Sequence, residues 1–394
     1  MKRIFITGMA LLGWFQAYSQ ISSTDSTGYK SRKLKLDEIN LVSSYYKQDG
    51  DNSAVTGGIG TEELTDISNT IDVKLIKYNK AGKKQTFDIE VGVDRYTSAS
   101  SDRIDLIANS SASSEDVRFY PSLGYTMEHE EKGSAFGVGL SSSTEYDYQS
   151  FGGNASYSKK TKDRNGEFTV RFQAFLDQIK IIKPIELRTG IGDSGTESRN
   201  TFAASVSYSQ IVNQNFQIMF LADVITQQGY LSLPFHRVYF NDDIDPHQEN
   251  LPDTRLKIPL AVRASYFFGD NVIIRTYYRY YTDDWKLTSH TANIEIPIKL
   301  SSFFSLAPFY RYYTQSAIKY FKGYKEHTTA DEFYTSNYDL SRFNSSFLGM
   351  GLKYTPLKGV LGIKHFHTLE MRYGHYTKTT NMVSDIISVN IKYK

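Results

Sequence analysis

The sequence predicts an all-β protein: a transmembrane antiparallel up-and-down β-barrel of about sixteen strands, within a range of about fourteen to eighteen. Three observations carry that expectation. Segments of about ten residues alternate apolar or aromatic positions with charged or hydroxyl ones, as a strand between lipid and water must. The connections alternate between tight and long, the pattern of short periplasmic turns and long extracellular loops. The chain also opens on an export leader, while no later apolar run approaches the roughly eighteen residues of a membrane helix.

The leader is MKRIFITGMALLGWFQAYSQ. Lys2 and Arg3 precede an apolar run from Ile4 to Phe15, and Ala17 and Ser19 are small residues at −3 and −1 before Gln20. Residues 1–19 therefore read as a signal peptide, 20–37 as a polar N-terminal segment and 38–394 as a single barrel domain. The expected location is the outer membrane of a Gram-negative bacterium, with outer-membrane lipid as the surrounding partner. Loss of Lys2 and Arg3 takes the formal charge from +2 to 0, so no nucleic-acid partner is implied. The sequence has no cysteine, which excludes disulfides and thiolate metal sites. Thirty Tyr and 24 Phe make it aromatic-rich, yet the chain is hydrophilic on average.

The period-two ladders run in order. Phe87, Ile89, Val91 and Val93 form one; Val117, Phe119, Pro121, Leu123, Tyr125 and Met127 the next. Phe136, Val138 and Leu140 follow, with Tyr146 and Tyr148 read in the same phase. Later come Phe168–Phe172, Phe202–Tyr208, Phe216–Val224, Ile258–Tyr266, Val272–Tyr280 and Ile294–Leu300. The last are Leu348–Tyr354, Leu369–Tyr373 and Ile387–Tyr393, with a further strand expected over 149–160. Tight turns fall at 80–82, 131–133, 163–166, 213–215, 269–271 and 301–302. Long polar segments fall near 48–66, 97–116, 180–200, 226–255 and 315–345.

With the apolar faces in lipid, the opposite faces line a lumen. That places Asp88, Glu90 and Asp94 inside on one strand, then Arg171, Arg263, Arg275, Arg279, Glu295, Lys299, Arg311, Glu370 and Arg372 on others. Both signs occur, so the lumen is expected to be internally paired and not a single-sign filter.

Within the long segment 97–116 a Ser-Ala-Ser-Ser-acid motif occurs twice: Ser98, Ser100, Ser101 with Asp102, and Ser111, Ser113, Ser114 with Glu115. The two copies are expected to face each other across a hairpin stem, with Ile104, Leu106 and Ile107 at its tip.

Several stretches resemble a known family. His236–Phe240, Leu251–Arg255, the run from Tyr277 to Leu300 containing Asp283, Asp284, Trp285 and then Ser289-His290-Thr291, and Arg311–Ala317 are similar to the bacterial domain of unknown function 3570. The resemblance covers essentially the whole mature chain. It implies a signal-bearing outer-membrane β-protein of no established activity, often encoded near a flavin transferase that acts on exported proteins. It supplies no catalytic residue.

Two groups invite a chemical reading. Asp283 and Asp284 with His290 offer carboxylates and an imidazole for metal or acid–base work, against the simpler reading of acids capping a turn beside an interfacial Trp285. Asp243, Asp245, His247 and Glu249 offer donors to a cation but lack the glycine turn and terminal glutamate of a calcium hand. His365 and His367, two apart on one face of a strand, offer a metal pair, against the simpler reading of a periplasmic girdle. No nucleophile elbow, phosphate loop or dinucleotide fingerprint occurs, and no cofactor is implied. The expected function is a channel for small solutes or a platform for an exported protein partner. Alternatives are a barrel-embedded Ser/His hydrolase and an accessory to extracytoplasmic electron transfer or metal handling.

Overall fold

The computed structural model describes residues 32–97, 115–188 and 194–394. The segment 1–19 that reads as a signal peptide, and both serine motifs other than Glu115, lie outside them. Sixteen strands form one closed antiparallel sheet. In chain order they are β1 (Lys35–Gly50), β2 (Leu64–Tyr78), β3 (Lys84–Thr97), β4 (Glu115–His129), β5 (Ser134–Thr144), β6 (Tyr148–Lys160), β7 (Gly166–Ile182) and β8 (Ser194–Asn213). There follow β9 (Phe216–Gly229), β10 (Thr254–Phe268), β11 (Val272–Asp283) and β12 (Thr288–Glu295, resuming at Ile298–Lys299). The last four are β13 (Phe304–Gln315), β14 (Phe343–Tyr354), β15 (Phe366–Lys378) and β16 (Met382–Tyr393). Each strand pairs with the next, and β1 pairs with β16 from Ile39↔Tyr393 to Gly50↔Met382, which removes both sheet edges. The break in β12 falls at Ile296-Pro297, where proline has no N–H to give the ladder.

The two faces separate as the alternation requires. Leu123, Leu140, Phe172 and Leu348 are exposed on the outside, Leu140 at 69%. A shell of this kind would be unfavourable in water at about 25 cal/mol per Å² of apolar surface, a cost that vanishes in lipid. Among the described residues no helix is long and apolar enough to cross a membrane.

The tight turns expected from the sequence, from 80–82 to 301–302, lie at one rim with the start of β1 and the end of β16. The other rim differs in part from expectation. Three of its connections, residues 145–147, 284–287 and 379–381, are as tight as those below. The first also corrects the ladder reading of Tyr146 and Tyr148. The chain reverses at 145–147, so Tyr148 opens β6 facing inward, where its hydroxyl donates to Asp177 at 2.5 Å.

Candidate functional site

Four of the long connections on the upper rim, in their described residues, interlock across the mouth. Arg237, in the β9–β10 connection, is 1% exposed. Its Nε and Nη2 fork onto the two oxygens of Glu186 from the β7–β8 connection at 2.5 and 2.8 Å, and its Nη1 donates to the carbonyl of Val55 from the β1–β2 connection at 2.6 Å. The β13–β14 connection joins the same body: Phe240 bridges to His327 and Asn250 to Tyr334. His327, 1% exposed, is held by Asp331 at 3.1 Å and by the Thr335 carbonyl at 3.0 Å. Beneath, Leu251, Trp285, Leu287 and Ile318 make a buried apolar cluster. A buried core under loops is unusual in a barrel whose apolar residues otherwise face out, and it makes the loops a packed lid.

Inward side chains near the upper rim pin that lid to the wall. Arg199 of β8 donates to the carbonyls of Tyr230 and Ser232, Gln315 of β13 to those of Asp339 and Ser341, Gln48 of β1 to that of Glu62, and Lys378 of β15 pairs with Asp339 at 2.6 Å. The lid carries its own titrating groups. Lys322 first, then the Thr328 amide and His327, hold the Asp331 carboxyl down at about 2. Burial first, then the nearby Asp339, push the Glu62 carboxyl up to about 7, against the pull of Lys378 and His236.

Below the lid the lumen is polar. Strand register puts all twelve sequence-predicted lumen residues on the inward phase: Asp88 faces Lys74, Arg263 faces Tyr277, Arg275 faces Glu295, Lys299 faces Ser305, and Glu370 faces Lys353. Pairing is partial, which corrects the expectation of an internally paired lumen. Arg372 reaches over Gly351 and the Phe309 ring to Glu295 at 2.8 Å and to Glu370 at 3.2 Å, and Arg275 joins Glu295 at 3.5 Å. Asp88 meets Lys74 at 3.9 Å, and Asp94 meets Arg118 at 3.9 Å and the Tyr120 hydroxyl at 2.9 Å. Arg171, Arg263, Arg279 and Arg311, by contrast, have no carboxylate within ion-pair distance among the described residues, nor do Asp72 and Glu90 a cation. These six lie about six residues, roughly 20 Å along the strand, from the short-turn rim. Asp72 and Glu90 stand side by side on β2 and β3, half the barrel away from Arg263 and Arg279 on β10 and β11. The carboxylates therefore occupy one wall, with Arg263 and Arg279 opposite and Arg171 and Arg311 on the flanks.

The other candidates separate. Asp283 is inward and buried, taking Arg255 at 2.5 Å, the Tyr281 hydroxyl at 2.8 Å and the Leu287 amide at 3.0 Å. His290 is on the outer face with the Tyr278 hydroxyl at 2.7 Å, and Asp284 is exposed, so the three do not converge. Trp285 is 3% exposed under the lid, with its indole N–H on the Thr254 carbonyl, and is not an interfacial girdle residue. Asp243 bonds His247 at 3.0 Å, Asp245 is exposed, and Glu249 is buried in the lid on Thr335 and the Leu233 amide, so that set does not converge either. His367 sits at a register shift where β15 pairs with β16, and His365 packs on Tyr393. Glu115 pairs with Arg95 on the outer face at 2.5 Å. Among the described residues no serine hydroxyl is hydrogen-bonded to a histidine ring. The carboxylates that do gather, Asp116, Glu145 and Asp147, each bring an oxygen within 4.8 Å of the others. Sequence reading missed them because only the β4–β5–β6 alignment brings the three together. Arg118 and the Tyr96 hydroxyl already serve Glu145 at 3.5 and 2.7 Å.

A family model described as protein of unknown function, DUF3570, matches residues 2–386. The chain belongs to the DUF3570 family. A search of curated proteins finds no match to it. Among solved structures, this DUF3570 barrel is similar to a BenF-like porin from Pseudomonas fluorescens Pf-5, at 9% identity and a TM-score of 0.45, covering 93% of this chain and 100% of that one. It is similar also to OccK2 (OpdF) of Pseudomonas aeruginosa, at 7% identity and a TM-score of 0.43, covering 92% and 98%. OpdK of Pseudomonas aeruginosa, solved with vanillate, matches at 8% identity and a TM-score of 0.42, covering 93% and 99%.

Proposed function

We propose that this DUF3570 barrel is an outer-membrane channel for small polar solutes, closed at its upper mouth by the interlocked loops. One observation carries the reading: Arg171, Arg263, Arg275 and Arg311 point inward and are nonetheless exposed. Four guanidiniums exposed inside a wall, three of them without a carboxylate in ion-pair distance among the described residues, require water inside it, because an unpaired charge in a dry interior is prohibitively costly. An aqueous lumen ringed by an apolar exterior is what a passive pore needs. The unpaired belt supplies selectivity without a single-sign filter, since arginines outnumber carboxylates at that depth. The lid then sets access, with Arg237 as its central tie.

Conductance of the purified full-length protein in a planar bilayer tests this. Stepwise currents that grow when the lid is loosened support the channel. A barrel that inserts yet stays electrically silent, with the lid intact or broken, refutes it.

A further inference from the structure

We propose that the lumen wall between β4 and β9 carries a binding recess for a neutral polyhydroxylated solute, a sugar or polyol. The inference deepens the channel reading and rests on it only for placing the recess on a transport path.

The wall recedes there because its inward residues are small. On β5 the inward phase reads Gly137, Gly139, Ser141 and Ser143, and on β6 it continues with Ser150 and Gly152. Larger side chains of the neighbouring strands stand around this floor: Tyr120 on β4, Tyr148 opening β6, and Phe175 on β7. The hollow they enclose is about 410 Å³, within the usual range of small-molecule sites. Arg199 ties its upper edge to the lid through the Tyr230 and Ser232 carbonyls.

The chemistry of the lining selects among solutes. Charges of both signs are present, and most are already committed. Arg118 donates to Ser143 Oγ at 2.9 Å and lies 3.5 Å from Glu145, Arg199 is spent on carbonyls, and one oxygen of Asp177 takes the Tyr148 hydroxyl. An anion would find no uncommitted cation in this lining. What remains is a set of hydroxyls, each able to donate and accept, which matches the hydroxyls of a polyol. One further group points to a ligand. Glu90 lines the hollow and has no cation within ion-pair distance among the described residues, so its carboxylate is left to accept from a solute O–H. The rings of Tyr120, Tyr148 and Phe175 offer apolar faces to the C–H side of a sugar.

The test is calorimetric titration of glucose, maltotriose and, as a contrast, glycine into the detergent-purified full chain. The informative variants are the pair Ser141→Val with Ser150→Val and the pair Ser141→Thr with Ser150→Thr. Both add the same bulk, and only the second keeps the hydroxyls. We expect sugar binding in the wild type, about tenfold weaker in the valine pair than in the threonine pair, and no glycine binding. Absence of sugar binding in the wild type, equal binding by the two pairs, or glycine bound as well as sugar would each overturn the recess. A barrel that binds sugar yet passes no current keeps the recess and loses the channel; one that conducts and binds no sugar does the reverse.

Discussion

Arg237 donates a hydrogen bond at 2.6 Å to the carbonyl of Val55, a residue 182 positions earlier in the chain. The two connections that meet there leave the wall half a barrel apart, one between β9 and β10 and the other between β1 and β2. Their contact spans the mouth, and the Glu186 carboxylate locks it from a third side.

Replacing Arg237 with Gln breaks this tie and leaves Glu186 without its fork. Removing one partner of a buried ion pair typically costs about 3–5 kcal/mol. Because the strands do not depend on the tie, the loss is expected in the lid alone. Single-channel conductance should rise several-fold and the 230–253 connection should become open to protease, while heat-modifiable migration of the barrel is retained. Unchanged conductance together with unchanged proteolysis would remove Arg237 from the gate.

Glu62 makes the lid sensitive to pH. Its carboxyl is held up to about 7 by burial, so the folded lid binds a proton that the loosened chain releases near the ordinary value of about 4.5. The stabilising effect is complete below that ordinary value and is lost as pH rises through about 7. Open probability should therefore increase between pH 4.5 and 7. In Glu62→Gln the dependence should flatten, with the lid closed throughout.

The unpaired arginine belt predicts an ionic preference. At physiological salt the screening length is about 8 Å, so charges on the wall act on ions passing near them. Arg263→Gln with Arg311→Gln should move the reversal potential in a salt gradient toward cation preference. Asp72→Asn with Glu90→Gln should move it the other way. Equal reversal potentials in all three proteins would mean that the pore does not pass this belt.

Leu140, exposed on the outer face, tests the membrane assignment. Arginine at a lipid-facing position near mid-depth costs about 2–4 kcal/mol, and little in water. Leu140→Arg should lower barrel stability in lipid by that amount, read from urea unfolding in vesicles. A neutral result would place this face outside the hydrocarbon.

Much of the molecule was legible in the residues. The ladders from Phe87–Val93 to Ile387–Tyr393 became strands with their apolar faces outward, and the DUF3570 resemblance held over nearly the whole chain. Tyr148 was misplaced because alternation continues on paper through a three-residue turn that reverses the chain. Trp285 was taken for an interfacial residue because its burial depends on Ile318 and Leu251, which arrive from other connections. The Asp283–His290 pairing fails on register: Tyr280 stands opposite His290 across β11 and β12, which puts His290 on the outer face and Asp283 on the inner one, and only the turn sets that register.

Alone, the sequence determined where the strands run and which side of each is the apolar outer face, because period two is a local property of the backbone. It determined likewise which charges point inward. Tertiary structure decided which of those charges find partners, which walls they occupy, and whether the mouth is covered. These depend on how many strands close the sheet and on contacts such as Arg237 with Val55 and Glu186, between segments that share no local pattern.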